Sequence, residues 1–374
     1  MKRVLIETGR AVLNVIYSLM KLRRVRNQVV FISRQSNAPS EDIMMIMREL
    51  SDRHIKSIAL CRKLEGGMVS TLKYCLHMIK QMNCMSTSKV VVLDSYCIAA
   101  SLLKQREETK LIQMWHALGA MKKFGLSILD KPEGRSSETA RLMRMHANYD
   151  YIFTSSEKSR GAFAEAFGYA PEALTIMSLP RVDRLLDRDH DLELQTEILD
   201  AHPELANGRT NVLYVPTHRV GEDMTPAVRA LIDAVDMTKF NLIIKTHPLT
   251  KLDINANEGV ITGSRFTSVD MLAVSDAVIT DYSAITYEIA LKGIPVYFYA
   301  YDKESYLDGR SFYLDYDRDM PGPIFTDAVS LAEALLEGTD EEQIEKEKAF
   351  ADEYITKQSG CTSENADFIQ KLMK

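Results

Sequence analysis

The hydrophobic pattern of the chain alternates between short apolar runs and longer segments of helical periodicity. Between residues 29 and 170 the apolar runs are five or six residues long, as expected for strands buried on both faces of a sheet. The predicted strands are 29–33, 55–60, 90–94, 111–115 and 151–155, and the predicted helices lie near 41–51, 68–82, 95–104, 137–147 and 157–167. Strands that alternate with helices of this length predict a mostly parallel, doubly wound sheet.

The same pattern begins again after a charged segment at 187–200. The predicted strands of this second half are 211–216, 240–245, 259–262, 276–280 and 296–300. The sequence therefore predicts an α/β protein with two Rossmann-like, doubly wound domains facing across a cleft. The expected division is an N-terminal amphipathic helix over 1–27, a first domain over 28–172, a second domain over 173–350 and a helix over 351–374 that braces the first domain.

The first 27 residues combine a broad apolar helical face with an excess of basic residues. At about 100° per residue, one narrow stripe of this helix is polar and cationic. This basic stripe consists of Arg3, Arg10, Asn14, Tyr17, Lys21 and Arg24. A wide apolar face beside a basic strip is typical of a helix that lies in a membrane interface, where acidic lipid headgroups attract the charges. The alternative is an amphipathic helix packed on its own domain, with solvated charges.

Composition and simple motifs exclude several classes of protein. No run of 18 apolar residues is present, and the five cysteines form no CxxC pair, which suits a reducing compartment. GxGxxG and GxxxxGK[ST] are both absent, so the dinucleotide oxidoreductase and P-loop readings lose their main support. No His, Asp or Glu cluster has metal-ligand spacing, and we expect no cofactor and no nucleic-acid partner. The sequence gives no indication of oligomeric state.

Polar and cationic side chains follow four predicted strands at the points where these strands end. They are His116, the group Thr217, His218 and Arg219, the pair Lys245 and His247, and the group Asp281, Tyr282 and Ser283. Ligands of open parallel sheets bind beyond the carboxyl ends of the strands. Polar and cationic residues at the ends of four strands therefore predict one shared site.

The residue types at these strand ends suit the transfer of a phosphate group. Arg219, Lys245 and the neighbouring histidines would form a cationic wall for phosphate oxygens and for a pyrophosphate leaving group. Ser283 is expected to cap a helix from about 284 to 292, whose free N–H groups would add to that wall. A neutral His116 would accept a proton from an attacking hydroxyl.

Each of these side chains also has a purely structural explanation. His116 would cap a neighbouring backbone group, and Arg219 and Lys245 would form surface ion pairs. Asp281 and Glu288 would be helix charges, and Tyr282 would be part of the core. The residue types alone leave these alternatives open.

Five segments resemble the CDP-glycerol glycerophosphotransferase family, the polyol-phosphate transferases that build teichoic acids and related polymers. The segments are 112–125, 154–169 with 179–183, 212–219, 243–248 and 280–323. The last is the most specific, because a Thr-Asp-Tyr-Ser turn precedes a Tyr- and Asp-rich loop that ends in Pro-Gly-Pro. The resemblance implies a glycosyltransferase-B-like architecture with the donor bound mainly by the second domain. It also implies a peripheral enzyme at the cytoplasmic face of the cell membrane, with a lipid-linked, undecaprenyl-type acceptor.

The resemblance assigns roles to individual residues. His116 matches the family's WHG-type histidine and is expected to act as general base on the acceptor hydroxyl, while His247 and Lys245 would neutralise the donor diphosphate. The other donor-binding residues are expected to be Thr217, His218, Arg219, Thr280, Asp281, Tyr282, Ser283 and Glu288. Departures from the family pattern, such as WHALG in place of WHGTP, leave the choice between glycerol and ribitol open.

The sequence thus predicts transfer of glycerol phosphate or ribitol phosphate from a CDP-polyol to a hydroxyl of a membrane-anchored acceptor, with release of CMP. Lys122, Lys123, Arg141 and Arg144 are expected to guide a phosphate-rich acceptor, although a solvated helix face explains them as well. Two rival functions stay open. One is a glycosyltransferase that uses a UDP- or GDP-sugar, and the other is an inactive, membrane-docked scaffold that binds polymer.

Overall fold

The computed structural model describes residues 2–219, 221–247, 250, 252–254 and 259–374. The chain forms two units, each with its own parallel sheet. Unit 1 comprises the residues up to Leu118, Lys123–Asp183 and Thr356–Lys374, and unit 2 comprises Gly119–Lys122 and Arg184–Ile355.

The strands carry the labels β1 to β12 in chain order. They are β1 Arg26–Ser33, β2 Lys56–Cys61, β3 Ser88–Leu93, β4 Lys110–Gln113, β5 Tyr151–Thr154, β6 Leu174–Ile176, β7 Thr210–Tyr214, β8 Phe240–Ile244, β9 Val260–Ile261, β10 Ala277–Thr280, β11 Val296–Tyr299 and β12 Ile324–Phe325. The sheet of unit 1 has the order β2-β1-β3-β4-β5-β6, and that of unit 2 has the order β12-β11-β10-β7-β8-β9. All of these strand pairs are parallel, which confirms the predicted α/β fold with parallel sheets.

The α-helices are labelled in the same way. They are α1 Lys2–Met20, α2 Glu41–Asp52, α3 Met68–Met85, α4 Ile98–Leu102, α5 Ser137–Leu142, α6 Glu157–Phe167, α7 Arg181–Leu185, α8 Arg188–Ala201, α9 Thr225–Ala234, α10 Thr286–Lys292, α11 Lys303–Gly309, α12 Tyr316–Asp319, α13 Ala328–Glu337, α14 Glu341–Tyr354 and α15 Cys361–Leu372. Short 3-10 turns cover Gly125–Ile128, Pro171–Ala173, Pro203–Ala206 and Asp270–Val274.

The apolar runs of the sequence became the buried central strands of each sheet. In unit 1, β1 pairs with β2 on one side and β3 on the other, and its residues Val29, Val30 and Phe31 are fully buried. In unit 2, β7 lies between β8 and β10, and its Tyr214 is also fully buried. Central strands of a parallel sheet bury both faces, which is why their sequences lack polar alternation.

The predicted helix over 137–147 is wrong in its second half. The helix α5 ends at Leu142, and Arg144, His146 and Asn148 all have positive φ angles. Such angles are disfavoured for residues with a Cβ, although Asn tolerates them best. The chain therefore turns sharply where helical periodicity predicts a continuous helix.

The C-terminal segment consists of two helices that belong to different units. The helix α14 lies within unit 2, whereas α15 lies within unit 1 and packs on α2. Asp183 caps α15 because its carboxylate accepts hydrogen bonds from the backbone N–H groups of Cys361, at 2.9 Å, and Thr362, at 2.7 Å. Arg53 of α2 pairs with Asp367 of α15 at 2.5 Å.

Candidate active site

His116 lies just beyond the carboxyl end of β4 in unit 1, and its ring is held by the backbone. Its Nδ1 lies 2.7 Å from the carbonyl oxygen of Asp94, the residue that follows β3. A carbonyl only accepts, so Nδ1 carries the proton and Nε2 keeps its lone pair. Burial lowers the pKa of His116 below its usual range. The hydrogen bond to the Asp94 backbone raises this pKa, whereas the positive charge of Arg181 lowers it further. His116 is therefore a neutral imidazole near pH 7 with a basic Nε2.

The backbone before His116 is strained. Trp115 has a φ of +60°, which a bulky aromatic residue rarely adopts. Its N–H donates to Oε1 of Gln113 at 3.1 Å, and its ring packs on the ring of His116 with centroids 4.2 Å apart. The Gln35 amide of the loop after β1 also lies against the imidazole, 3.0 Å from its Nδ1 and 3.3 Å from its Nε2. A strained backbone persists only where surrounding contacts hold it in place, and such strain is frequent at functional sites.

Unit 1 also holds two buried carboxylates on residues that influence His116. Asp42, at the start of α2, is buried and accepts from both the backbone N–H and the Nε of Arg181, each at 2.8 Å. Asp94 is only 1 % exposed, and within the described part of the chain neither of its carboxylate oxygens has a hydrogen-bond partner. Burial raises the pKa of Asp94 to about 6, against the opposing effect of the nearby Ser33 and Ser95 hydroxyls.

Unit 2 places a buried ion network at its strand ends. The side chain of Arg219 is 2 % exposed; its Nε lies 2.6 Å from Asp302, and its Nη1 lies 3.0 Å from Asp281. Nη1 also donates to the carbonyl of Thr217 at 2.7 Å, and Nη2 donates to Asp302 at 3.0 Å. Asp281 accepts the backbone N–H of Thr217 at 2.9 Å. Burial lowers the pKa of Arg219, but Asp302 and Asp281 together raise it well above its usual range. The network ties the segments after β7, β10 and β11 together.

A stack of aromatic rings covers this network. The rings of Tyr282 and Tyr306 are parallel within 7° and have centroids 3.9 Å apart. The Arg219 guanidinium lies 4.6 Å from the Tyr306 ring centre and 5.1 Å from that of Tyr282, within cation–π range. The Tyr316 hydroxyl donates to the carbonyl of Asp281 at 3.2 Å. Much of the Tyr- and Asp-rich loop is thus packed into the wall of the site.

The cationic residues after β7 and β8 form a second, more open part of unit 2. The ring of His218 stacks on that of the exposed His247, with centroids 5.2 Å apart, and His218 Nδ1 lies 2.8 Å from the Thr250 hydroxyl. Lys245 donates to the carbonyl of Ser264 at 2.7 Å. Burial lowers the pKa of Lys245, and Asp270 opposes this. Three of the predicted cationic side chains therefore follow two neighbouring strands.

The expectation that Ser283 caps the next helix is wrong. The helix α10 begins at Thr286, is preceded by Ile285 and has no side-chain cap. The chain makes a turn first, in which the carbonyl of Ser283 accepts from the backbone N–H of Thr286 at 3.3 Å and from its hydroxyl at 2.9 Å. The Ser283 side chain therefore does not occupy the first backbone N–H groups of α10.

Thr280 and Glu288 are both buried. The Thr280 hydroxyl donates to the carbonyl of Val215 at 2.8 Å and links β10 to the end of β7. Glu288 lies on α10 and is 5 % exposed. The donor-binding roles of these two residues stay predictions.

Lys122 belongs to unit 2, within the segment Gly119–Lys122. The residue forms an isolated antiparallel bridge with Phe312, and its ammonium donates to the Tyr306 hydroxyl at 3.3 Å. Burial lowers the pKa of Lys122 to about 8; Asp281 opposes this, and the charges of Arg310 and Arg219 reinforce it. Lys122 therefore lies beside the ion network of unit 2.

The other basic residues expected to guide the acceptor lie in unit 1. Lys123 pairs with Glu165 at 3.2 Å. Arg141 and Arg144 are exposed, and Arg144 donates to Asn148 at 3.3 Å. Of the basic stripe, Arg3 pairs with Glu7, and Lys21 donates to the carbonyl of Lys104 at 2.9 Å. The acceptor role of Lys123, Arg141 and Arg144 and the membrane role of the basic stripe stay predictions.

No three His, Cys, Asp or Glu side chains among the described residues are arranged to hold a metal ion. No helix in the described ranges combines the length and apolar content needed to cross a bilayer.

Sequence reasoning missed several residues of these two strand-end groups. Asp302 and Tyr306 lie in the Tyr- and Asp-rich loop that follows the predicted strand 296–300. Their place near that strand end could have identified them as candidate site residues. Asp94 is the last residue of the predicted strand 90–94, as Lys245 is of the predicted strand 240–245, so the strand-end criterion could have selected it. The contact between Lys122 and Tyr306 joins residues 184 positions apart and has no local signal.

Comparisons with known proteins agree with the resemblance found in the sequence. A family model described as CDP-Glycerol:Poly(glycerophosphate) glycerophosphotransferase matches residues 16–368. The teichoic acid ribitol-phosphate primase of Bacillus spizizenii is 32% identical over 387 residues, covering 100% of this chain and 99% of the primase. The teichoic acid glycerol-phosphate primase of Bacillus subtilis is 28% identical over 305 residues, covering 80% of this chain and 77% of that protein.

The fold is also similar to that of a solved structure. The wall teichoic acid polymerase TagF superimposes with a TM-score of 0.75 and 23% identity, covering 100% of this chain and 97% of the compared one. At that identity the likeness shows a common fold. The family model and the full-length primase match together show that the chain belongs to the CDP-glycerol:poly(glycerophosphate) glycerophosphotransferase family.

Proposed function

We propose that this protein transfers one polyol phosphate, preferentially ribitol phosphate, from a CDP-polyol to a hydroxyl of a lipid-linked acceptor at the cytoplasmic face of the membrane. The family supports the reaction class. The match to a ribitol-phosphate primase over 99% of that relative supports addition of a first unit and ribitol as the polyol. A glycerol-phosphate primase at 28% identity makes CDP-glycerol the natural competing donor.

The observation that carries the proposal is the contact of His116 Nδ1 with the Asp94 carbonyl oxygen at 2.7 Å. The Asp94 carbonyl fixes the proton on Nδ1, and burial keeps the ring neutral, so Nε2 is available as a base. In the proposed step Nε2 takes the proton of the acceptor hydroxyl. The oxygen of that hydroxyl attacks the phosphorus atom that carries the polyol. The P–O bond to CMP breaks, CMP leaves with the electron pair, and the proton passes from His116 to solvent.

The strand ends of unit 2 are proposed to bind the donor. Lys245, His218 and His247 are cationic or neutral hydrogen-bond donors that follow β7 and β8. Negative charge grows on the leaving CMP, and donors of this kind stabilise it. Arg219 is engaged by Asp281, Asp302 and Thr217, so we assign it the task of holding these segments in position.

Association with the membrane is proposed through α1. This helix contacts the rest of unit 1 through Asn14 and Tyr17 of its basic stripe, as does the adjoining Lys21, while Arg3 and Arg24 stay exposed. Asn14 donates to the carbonyl of Leu102 at 3.1 Å and accepts from the backbone N–H of Lys104 at 2.8 Å. The buried Tyr17 donates to Gln105 at 2.8 Å. An amphipathic helix of a globular protein normally packs its apolar face inward. Here a polar face makes these contacts.

The apolar side of α1 is consequently exposed, and the neighbouring helix α3 exposes a second apolar row. Leu5 is 74 % exposed, and the residue after the helix, Leu22, is 82 % exposed. The other exposed apolar residues are Val4, Val12, Val15, Ile16 and Leu19 on α1, and Met68, Val69, Leu72, Leu76 and Ile79 on α3. An apolar surface of this extent flanked by arginines suits an anionic lipid surface.

Co-sedimentation with vesicles tests the membrane assignment. Leu5→Glu together with Leu72→Glu is expected to reduce binding to vesicles containing phosphatidylglycerol by at least about tenfold, because two apolar groups are replaced by anions. Val329→Glu is the matched control, since Val329 is equally exposed but lies on α13 of unit 2. Unchanged binding of the double variant would refute the assignment.

Donor profiling followed by sizing of the product tests the reaction. Purified protein with a lipid-linked acceptor should release CMP fastest from CDP-ribitol and extend the acceptor by one unit. Faster turnover of CDP-glycerol would mean that glycerol phosphate is the transferred group. A product extended by many units would mean that the protein is a polymerase. Turnover of a UDP-sugar but of neither CDP-polyol would favour the glycosyltransferase. Turnover of no donor would favour the inactive scaffold.

A further inference from the structure

Arg34 directly follows β1, at the carboxyl end of the unit 1 sheet. The neighbouring strands β3 and β4 lead at the same edge to Asp94 and to His116. The backbone N–H of Arg34 donates to the Ser95 hydroxyl at 3.0 Å. The side-chain amide of the next residue, Gln35, lies 3.0 Å from Nδ1 of His116. Arg34 therefore belongs to the same group of strand ends as the proposed base, where open parallel sheets bind their ligands.

The guanidinium of Arg34 is held by the protein through one of its nitrogens. Nη1 donates to the carbonyl of Tyr96 at 3.0 Å, and the central carbon lies 5.8 Å from the Tyr96 ring centre and 5.5 Å from that of Tyr74, within cation–π range. Within the described residues the guanidinium makes no other hydrogen bond, and its Nε is buried without a partner. The edge formed by Nε and Nη2 is suited to bind a phosphate through two parallel hydrogen bonds.

The charge of Arg34 has no carboxylate partner in the part of the chain that the structure describes. Other arginines of unit 1 do have one, since Arg53 pairs with Asp367 and Arg181 pairs with Asp42. A half-buried guanidinium without a counter-charge is disfavoured unless a ligand supplies the negative charge. Arg34 is therefore the cation of this sheet edge that is equipped to bind an anion.

The two tyrosines beside the guanidinium differ in what their hydroxyls do. The Tyr96 hydroxyl donates to the carbonyl of Met143 at 3.1 Å, whereas the Tyr74 hydroxyl is buried and has no partner within the described residues. A phenol is protonated near pH 7 and can donate. An anionic oxygen from outside the protein would satisfy both this hydroxyl and the Nε of Arg34.

The surroundings of Arg34 indicate which substrate would supply the anion. The proposed function assigns the acceptor hydroxyl to His116, and Gln35 connects that imidazole to Arg34. Tyr74 lies on α3, and at 100° per residue it faces away from the exposed apolar row of this helix. One side of α3 thus contacts Arg34 and the other suits lipid, as a lipid-linked substrate requires.

We infer that Arg34 and the Tyr74 hydroxyl bind a phosphate group of the lipid-linked acceptor. The inference rests on the proposed function and adds to it a group in unit 1 that anchors the acceptor beside the base. Arg34 binds two phosphate oxygens through Nε and Nη2, and Tyr74 donates to one of them. The phosphate is either a phosphodiester in the polyol part of the acceptor or the diphosphate that carries the lipid.

Calorimetric titration of the full chain distinguishes these two sources. The phosphate probes are glycerophosphoglycerol, a phosphodiester with free hydroxyls, and farnesyl diphosphate, a short lipid diphosphate. Their neutral counterparts are diglycerol and farnesol. Arg34→Gln is expected to weaken the binding of at least one phosphate probe by about 10-fold or more, because charge-assisted hydrogen bonds are lost. The probe that is affected identifies the phosphate, and binding of the neutral counterparts should not change.

Three further variants sharpen the titration. Arg34→Lys keeps the charge but loses the planar fork, so it should recover only part of the affinity. Tyr74→Phe keeps the ring and should weaken binding by about 3-fold or more. Arg48→Gln is the matched control, because Arg48 is exposed on α2 of unit 1 and the same change of charge there should have no effect. Binding of CDP should be equal in all variants, since the donor is assigned to unit 2.

A fluorescence titration provides an independent readout of binding. Trp115 is the only tryptophan of the sequence, and its ring packs on that of His116. A phosphate probe that binds beside the base should therefore change the emission of Trp115. Arg34→Gln should shift the midpoint of this change by the same factor as in calorimetry.

Steady-state kinetics separate binding of the acceptor from positioning of the base. Arg34→Gln should raise KM for the lipid-linked acceptor by about 10-fold, with kcat and KM for the CDP-polyol close to those of the wild type. A lower kcat at an unchanged acceptor KM would show that Arg34 acts on His116 through Gln35, and it would overturn the inference.

The remaining outcomes separate the inference from the proposed function. Wild-type affinity of Arg34→Gln for both phosphate probes overturns the inference, and so does a wild-type protein that binds neither probe. An equal loss for the neutral counterparts, or a loss of CDP binding, also overturns it. In each case turnover of a CDP-polyol would leave the proposed function intact. Arg34-dependent binding of a phosphate probe by a protein that turns over no CDP-polyol would uphold the anion site and refute the proposed reaction.

Discussion

The strand ends of the two units hold ionisable groups in opposite ways. In unit 1, burial lowers the pKa of His116 and raises that of Asp94, which favours the neutral form of each group, and the imidazole is oriented by a backbone carbonyl. In unit 2, Arg219 stays fully charged because Asp281 and Asp302 surround it. The proposed function uses this difference, with one unit exchanging a proton and the other holding charge in place.

Replacing the imidazole tests the proton-exchanging side of this comparison, with the largest expected effect. His116→Ala should lower the rate of CMP release by about 10²–10⁴, the usual contribution of a general base, without weakening CDP binding. The control is His54→Asn, because His54 is exposed with a φ of +58°, a conformation that Asn tolerates. Near-normal turnover of His116→Ala would remove the base from the mechanism.

Removing the charge at the centre of unit 2 should act on stability first. Arg219→Met leaves Asp281 and Asp302 buried without their partner, which typically costs about 3–5 kcal/mol in the free energy of unfolding. Arg229→Met is the paired control, because the Arg229–Asp253 ion pair is exposed and its loss should cost about 0–1 kcal/mol. Denaturant unfolding measures both. Equal effects of the two substitutions would mean that the ion network does not organise unit 2.

The buried carboxylate of unit 1 should make stability depend on pH. The folded-state pKa of Asp94, about 6, is above its ordinary value of 3.8, so the folded state binds the extra proton between these values. Stability attributable to Asp94 therefore falls as pH rises from about 4 to 6, and the penalty is complete above that range. Asp94→Asn should stabilise the protein by at most about 2–3 kcal/mol at pH 8 and by little at pH 4.

Thermal unfolding at the two pH values measures the Asp94 effect. The exposed Asp52 of α2 provides the control, since Asp52→Asn should show no such dependence on pH. Destabilisation by Asp94→Asn at pH 8 would indicate that the carboxylate has a favourable partner, and it would weaken the contrast between the units.

The smallest effect is expected at the glycine that places Lys122. A Cβ on Gly119 would meet the Tyr287 ring at 2.4 Å, so Gly119→Ala should cost about 1–3 kcal/mol through overpacking. Gly161 in α6 has no neighbour within 4 Å of a Cβ, and Gly161→Ala should instead stabilise the helix by about 0.5–1 kcal/mol. Opposite signs in thermal unfolding would support the close packing of Gly119–Lys122 in unit 2, and equal signs would contradict it.

The sequence predicted the central strands because their residues must be apolar on both faces. The outer strands β6 and β12 are only three and two residues long, too short to give a pattern. The second half of the predicted helix over 137–147 failed because positive φ angles at Arg144 and His146 depend on tertiary contacts. Propensity reports what a segment prefers in isolation, and tertiary contacts override it.

The position of a candidate residue was predictable where the residue directly follows or ends a strand. His116 and Lys245 met that condition, and so did Asp281. The role of Asp281 in a buried network with Arg219 and Asp302 depends on the pairs Arg219–Asp281 and Arg219–Asp302, which are 62 and 83 residues apart. Such contacts leave no mark on local periodicity, which is why the engaged state of Arg219 emerged only from the structure.

The inverted docking of α1 affects how the protein behaves once it is isolated. A helix attached through Asn14 and Tyr17 offers its leucines and valines to any apolar partner, and in aqueous buffer the readiest partner is another copy of the chain. Sedimentation or light scattering without detergent will then report self-association through this face. A stoichiometry measured in detergent above its micelle concentration is the one that describes the enzyme.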